Sequence, residues 1–486
     1  MTSVMHNSIS EVIDMKQTVN LTEGKVFPLI IKFFFPIFLT NMLQQIYNIA
    51  DTIIVGKGIG DNALAAVGNM SSLTFLVVGF SSGLSSGFSI LLAQHYGAEK
   101  YDDLRKTLAS SIKLSAAISL VLTVGSVLIL KPVLIMMQTS SVIMKDSLVY
   151  GYVIFLGLTA TIAYNLCACI LRALGDSKTP FIAIMVSTVI NIILNCVFIF
   201  ACHLGVFGAA IATVLAQIIS TLVCLNKLRK IEIIKLAAAD FRKDTALARE
   251  LLRNGIPMAL MNSITSLGCM VVQYFVNGLG VAYTSAYSAC SKYINLFMQP
   301  GFAAGLTMSA FTSQNYGAEK YTRIREGLHV CLSIALVSYV ALGAVMVFAP
   351  RTLAGMMLTG EEPIALAMQY LPICGFMLFA VDILFVFRSG CQAMGRPTVP
   401  MISGIVEMVM RIMVIVLFVS KIGFAATAWA DAVAWVGALI LNLIAFEVIL
   451  NKKIKEEKDA SDHSSKWKMW LNYGRRALLT VSMRNS

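Results

Sequence analysis

Charge is scarce in this sequence. Asp, Glu, Lys and Arg make up 13% of the 486 residues, about half the ~25% usual for a soluble domain. Uncharged stretches run over 148–171, 179–226 and 254–291, each as long as the roughly 20 residues a helix needs to cross a bilayer. A water-soluble globular fold is therefore excluded. Nucleotide-motor chemistry is missing too. The run VGKGIG at 55–60 lacks the G-x-x-x-x-G-K-[ST] frame that cradles phosphates, so Lys57 reads as an interfacial loop charge. No C-x-x-C occurs, and the ten cysteines fall in or beside apolar runs. Cys167 and Cys169, two apart, face differently on a helix. The expectation is buried, reduced thiols packing as small hydrophobes, with neither a disulfide framework nor a zinc site. The five histidines at 6, 95, 203, 329 and 463 are scattered, no Ser/His or Cys/His arrangement stands out, and neither enzyme activity nor a cofactor is expected.

Apolar length is abundant, with 57% hydrophobic residues. The chain reads as an all-α membrane protein with twelve spans, near 31–55, 64–92, 107–130, 147–171, 180–201, 205–226, 255–277, 282–309, 328–349, 365–390, 400–420 and 423–448. Pro36, Gly79, Gly83, Pro257, Pro300 and Pro372 lie inside spans, breaks that membrane helices tolerate where protein or cavity water satisfies the freed backbone. Residues 1–27 are polar and carry Glu11, Asp14 and Glu23, so no cleavable signal is expected there.

The net charge of +12 is mainly a topology signal. The termini and the loops after even-numbered spans hold 28 Lys and Arg, the opposite loops five. Positive-inside bias then puts both termini in the cytoplasm of a multi-pass cell-membrane protein. The basic residues flank spans and form no single patch, so nucleic acid is not an expected partner, whereas the lipid bilayer is. The basic tail at 451–486 also suits contact with anionic lipid.

One phrase is written twice. QHYGAEKY at 94–101 returns as QNYGAEKY at 314–321. Gly60 and Gly280, Ala173 and Ala393, Gly175 and Gly395, and Pro180 and Pro400 recur at the same spacing of 220, and GFSSGL at 79–84 resembles GFAAGL at 301–306. The chain reads as a tandem duplication of a six-helix unit. Six is even, so the two lobes should be parallel repeats about a pseudo-two-fold axis along the membrane normal, a chassis suited to alternating access. The expected division is an N-terminal segment 1–27, an N-lobe 28–226, a cytoplasmic linker 227–254, a C-lobe 255–450 and the tail 451–486. The glycine of the repeated phrase is expected to supply its tight turn, with the Glu-Lys pair in solvent.

Ionisable groups inside a bilayer cost about 3 kcal/mol or more and need a reason. The first half has one clear acid, Asp51. At about 100° per residue, Asn41, Gln44, Asn48 and Asp51 share a face of the first helix, with Tyr47 at its border. Asn191 and Asn195 lie one turn apart on the fifth helix, the fourth offers Tyr164 and Asn165, and the sixth Thr213. Asp51, Asn191, Asn195, Tyr164 and Thr213 form the expected cation-coupling pocket, with Na+ at Asp51 as its one candidate metal. Gln44, Tyr47 and Asn48 are expected to line the substrate cavity. The second half carries Lys292, Asp382, Arg388, Glu407, Arg411 and Asp431. Glu407 and Arg411, four apart with the acid first, favour an intrahelical ion pair. Asp382, Lys292 and Arg411 are the cavity candidates. Arg411 lies 220 after Asn191, so the lobes share a frame and differ in chemistry.

QQIYNIADTIIVG on the first helix, the doubled YGAEK, LRALGDSKTP at 171–180 and GAAIATVLAQ at 208–217 together resemble the multidrug and toxic compound extrusion (MATE) family over roughly 25–450, most closely its Gram-positive multidrug efflux branch. The resemblance implies a cation-coupled antiporter that exports organic, often cationic and aromatic, compounds, driven by H+ or Na+. It implies that Asp51 is the coupling acid, that Gln44 and Tyr47 approach it or substrate, and that Asn191, Thr213 and Tyr164 match family positions. Two departures matter. Asn195 stands where many members have Asp, and the seventh helix lacks the Glu that some sodium-coupled members carry. Asp382 falls where the family places a tenth-helix Asp, yet a full sodium site in the C-lobe is not supported and coupling in the N-lobe is favoured. The 26 Met and 26 Phe also suit a pliable cavity wall, although most will pack helices or face lipid. The expectation is a monomeric exporter of drug-like molecules. A lipid-linked glycan flippase of the same superfamily, needing a larger cationic cavity, and a non-transporting sensor or scaffold are the alternatives.

Overall fold

A computed structural model describes residues 19–482. The first 18 residues of the expected N-terminal segment and the last four of the tail lie outside the described residues. Every regular element among the described residues is helical. It runs α1 Val26–Gly58, α2 Asp61–Gly97, α3 Tyr101–Met136, α4 Ser141–Leu156, α5 Leu158–Ala173, α6 Lys178–Cys196 with a π turn Val197–Ala201, and α7 Gly205–Arg229. Two short 3-10 turns, Glu232–Ile234 and Ala238–Phe241, follow. The order then continues with α8 Thr245–Leu279, α9 Val281–Phe297, α10 Gln299–Gly317, α11 Tyr321–Phe348, α12 Pro350–Met357, α13 Glu361–Ala393, α14 Thr398–Ile422 and α15 Ala425–Ser482.

Among the described residues, ten helices are long and apolar enough to cross a membrane, and counting the pair α4 and α5, bent by 45°, as one broken span gives eleven. The eighth expected span is divided between α9 and α10, which break at Met298. Pro300 causes that break, since proline is accepted in the first turn of α10 but not within a continuing helix. Tyr283, Thr284, Ser285, Ser291 and Lys292 also make α9 less apolar than its neighbours.

The duplication is visible in the backbone. Gly60 and Gly280 begin the second helix of each half with φ of +118° and +124°, a region in which a Cβ is strained. In the repeated phrase the left-handed residue is glutamate: Glu99 has φ 58° and Glu319 φ 57°. This corrects the expectation that glycine makes the turn. The reason lies in the cap. The Lys100 amide donates to His95 O at 3.0 Å and the Lys320 amide to Asn315 O at 2.8 Å, the six-to-one bond of a Schellman ending, which puts the left-handed position two residues past the glycine.

The chain divides into two compact units, 1–266 and 267–486. The border lies within α8, not in the polar stretch 227–254. The first turns of α8 are amphipathic, and Leu251 and Ala259 join the buried cluster of Phe88, Leu92, Leu104, Leu108 and Leu174. Asn262 Nδ2 also donates to Gly79 O on α2 at 3.0 Å. Of the ten cysteines, Cys196, Cys202 and Cys269 are exposed and the other seven buried, which corrects the expectation that all pack inside. Cys196 and Cys202 flank the π turn, where α6 presents its outer face.

Candidate functional site

In the first unit the polar residues of α1, α6 and α7 meet in two linked groups. Asn191 and Asn195 are both fully buried on α6, one turn apart and so on one face. Asn195 Nδ2 donates to Asp51 Oδ1 at 2.7 Å and to Asn191 Oδ1 at 2.9 Å. Beside this chain, the Tyr47 hydroxyl donates to Thr213 Oγ1 at 3.2 Å, and Thr213 donates to Ala209 O at 3.1 Å. The π turn opens two residues after Asn195, at Val197, and such widened turns recur at functional sites.

The group leaves hydrogen-bonding capacity unused. Asn195 Oδ1 and Asn191 Nδ2 are buried without a partner among the described residues, and orphan polar atoms of this kind are costly. Asp51 is half-buried and has no cationic partner among the ion pairs of the described residues. A carboxylate beside an unspent amide oxygen offers hard oxygen ligands to a small cation, or a seat for a proton. Among the described residues no cluster of three or more His, Cys, Asp or Glu could hold a metal ion.

Not every expected residue joins. Tyr164 is buried in a neighbouring apolar cluster with Cys167, Ala168, Ala183, Ile184 and Cys224, against which Leu43 packs. Asn48 is exposed and Gln44 half-buried. Asn41 and Asn165 each keep a buried side-chain nitrogen without a partner. The helical stripe therefore continues past the region in which α6 and α7 cover it.

The second unit holds a different arrangement. Arg388 Nη2 donates to Glu407 Oε2 at 2.7 Å, Arg411 Nη2 to Glu407 Oε1 at 2.9 Å, and Arg411 Nε to Asp431 Oδ1 at 2.7 Å. The Tyr370 hydroxyl closes the ladder on Asp431 Oδ2 at 2.6 Å. Two guanidinium groups face two carboxylates, so the ladder is neutral, and each of the four charged residues is at most 7% exposed. The intrahelical Glu407–Arg411 pair is thus one rung of a longer structure that takes Arg411 out of a cavity role. Asp431 stands out in the sequence only as one charge of the second half, without a partner, and Tyr370 does not stand out at all. The repeat carried a signal for both: Tyr370 lies 220 after Tyr150, and Asp431 lies 218 after Thr213, the spacing of Gly205 and Gly423. Lys292 is exposed. Asp382 is fully buried, with both carboxylate oxygens unpartnered among the described residues, and a Cβ on Gly301 would overlap its carboxylate.

Comparison with known proteins fits this geometry. The MatE family model matches residues 36–197 and 257–417, one match in each half of the repeat. The chain belongs to the MATE family. Among its relatives, the probable multidrug resistance protein YoeA of Bacillus subtilis (strain 168) is 30% identical over 358 residues, covering 71% of this chain and 77% of that protein. YpnP of the same organism, also a probable multidrug resistance protein, is 26% identical over 378 residues, covering 77% of this chain and 84% of its own. A crystal structure of MATE in the straight conformation superposes with a TM-score of 0.84 at 20% identity, over 90% of this chain and 99% of that one. The shared architecture is thus the two-lobed MATE fold, in a protein of the membrane.

Proposed function

We propose that this MATE protein is a secondary multidrug exporter, an antiporter that exchanges organic, often cationic and aromatic, compounds for H+ or Na+ by alternating access. It acts as a transporter and not as an enzyme, resides in the cell membrane as a monomer with both termini in the cytoplasm, and needs no cofactor beyond the coupling ion. The names of YoeA and YpnP as probable multidrug resistance proteins support the cargo class. The observation that carries the coupling mechanism is the Asp51–Asn195–Asn191 chain, with its bond of 2.7 Å between amide and carboxylate.

Asp51 exchanges its countercharge between a coupling cation and substrate. Asn195 holds the carboxylate in place, and Tyr47 and Thr213 bound the site. A ligand shifts a two-state equilibrium only by its differential affinity for the states, and neutralising the half-buried charge of Asp51 provides such a difference. The flippase alternative is disfavoured because Arg388 and Arg411 are bound to Glu407 and Asp431, leaving few free cations for a pyrophosphate. Dye efflux from proteoliposomes under separately imposed H+ and Na+ gradients tests the reading. Flux driven by one of them supports it, and flux under neither refutes it.

A further inference from the structure

We infer that the segment between α7 and α8 is a strap that seats an anionic phospholipid headgroup at the basic membrane interface. The argument begins with the depth of Lys113. It is exposed on α3, and no further charge occurs on that helix until Lys131, also exposed. The 18-residue interval spans about 27 Å at 1.5 Å per residue, close to the ~30 Å hydrocarbon core. The two lysines therefore mark opposite interfaces, where long basic side chains snorkel to the headgroups.

The strap is tied to that mark. Lys113 Nζ donates to the carbonyl of Phe241 and stands 5.5 Å from the centre of its ring. Arg105 approaches Asp240 at 4.0 Å. Ile234 is buried, and Ile231, Ile233 and Leu236 pack on the same cluster as Leu104 and Leu108. The inward face of the strap is thus accounted for, which fixes its outward face. Phe241 is 39% exposed, and Arg242 and Lys243 beside it are exposed without an ion pair among the described residues. The acids nearby are engaged or distant from this tip. Glu232 pairs with Lys235 at 2.7 Å, Asp240 Oδ2 accepts from the Ala237 amide at 2.8 Å, and Asp244 Oδ1 from the Leu247 amide at 2.9 Å.

An aromatic ring at headgroup depth flanked by two free cations matches a phospholipid that is apolar above and anionic at the headgroup. Positive-inside bias alone would explain basic residues in this loop. It does not explain why an apolar ring is held beside them at the depth of Lys113.

The test uses the full chain in vesicles of phosphatidylcholine alone or with phosphatidylglycerol at about one in three, with brominated acyl chains as quenchers. In a Phe241→Trp variant, the emission gained over wild type should be quenched, and more strongly when the brominated lipid is phosphatidylglycerol. Removing Arg242 or Lys243 by substitution with Ser should weaken that preference about fivefold each, the equivalent of ~1 kcal/mol per basic residue near a charged surface. Lys113→Met, which releases the strap, should reduce the quenching itself. Absence of quenching, equal quenching by both lipids, or loss of the preference on adding inorganic phosphate would each overturn the inference; the last would point to a soluble anion. If Phe241→Trp does not fold, retention of phosphatidylglycerol over phosphatidylcholine by wild type and by Arg242→Ser, read by native mass spectrometry, decides the same question.

Discussion

The two halves of this chain place different chemistry at equivalent positions. Asn191 in the first half corresponds to Arg411 in the second and Thr213 to Asp431, while Tyr150 and Tyr370 keep the same residue. The second half ties these residues into a neutral ladder of two arginines and two carboxylates. The polar group of the first half has one carboxylate, Asp51, held by an amide. A buried ion network in which every charge faces a countercharge resists change, because removing either partner strands a charge. A lone carboxylate held by a neutral donor can change its counterion without breaking an ion pair. The repeat thus supplies one frame, in which the side chains tie one half into a fixed support, and the proposed function makes the other the exchange site.

The contrast can be broken at three places. Glu407→Gln leaves Arg388 and Arg411 facing one acid, and should cost about 3–5 kcal/mol of stability, seen as a large loss in thermal unfolding of the purified protein. A much smaller loss would mean that the ladder is not structural. Asn195→Leu removes the donor to Asp51 and should cost about 1–3 kcal/mol, with the pH dependence of efflux altered, since the carboxylate loses its neutral partner. An unaltered profile would place coupling elsewhere. Tyr47→Phe loses one hydrogen bond to Thr213, about 0.5–1.5 kcal/mol. Its effect on substrate KM relative to kcat separates a cavity residue from a packing residue.

Much of this is legible in the sequence. Charge scarcity and run length mark the spans, and the repeated phrase marks the duplication. The helical spacing of Asn191 and Asn195 brings both to one face, where Asp51 meets them. What escaped depended on contacts between helices distant in sequence. Tyr164 looks polar on paper, but its helix turns it toward Cys167 and Ala183. Asn48 shares the stripe of Asp51, yet no neighbouring helix covers it. The ladder through Asp431 and Tyr370 joins three helices, and only the i,i+4 pair of Glu407 and Arg411 lies along one of them. The left-handed Glu99 was hidden for a local reason, since capping geometry fixes which residue takes that conformation and composition points to the glycine two residues before it.

The most direct test of the central claim is gradient-driven efflux by the Asp51→Asn variant in proteoliposomes. The substituted side chain keeps an acceptor oxygen for Asn195 Nδ2, so the variant should insert and unfold like wild type while ion-driven transport is lost. Wild-type flux from a correctly folded Asp51→Asn protein would contradict the account.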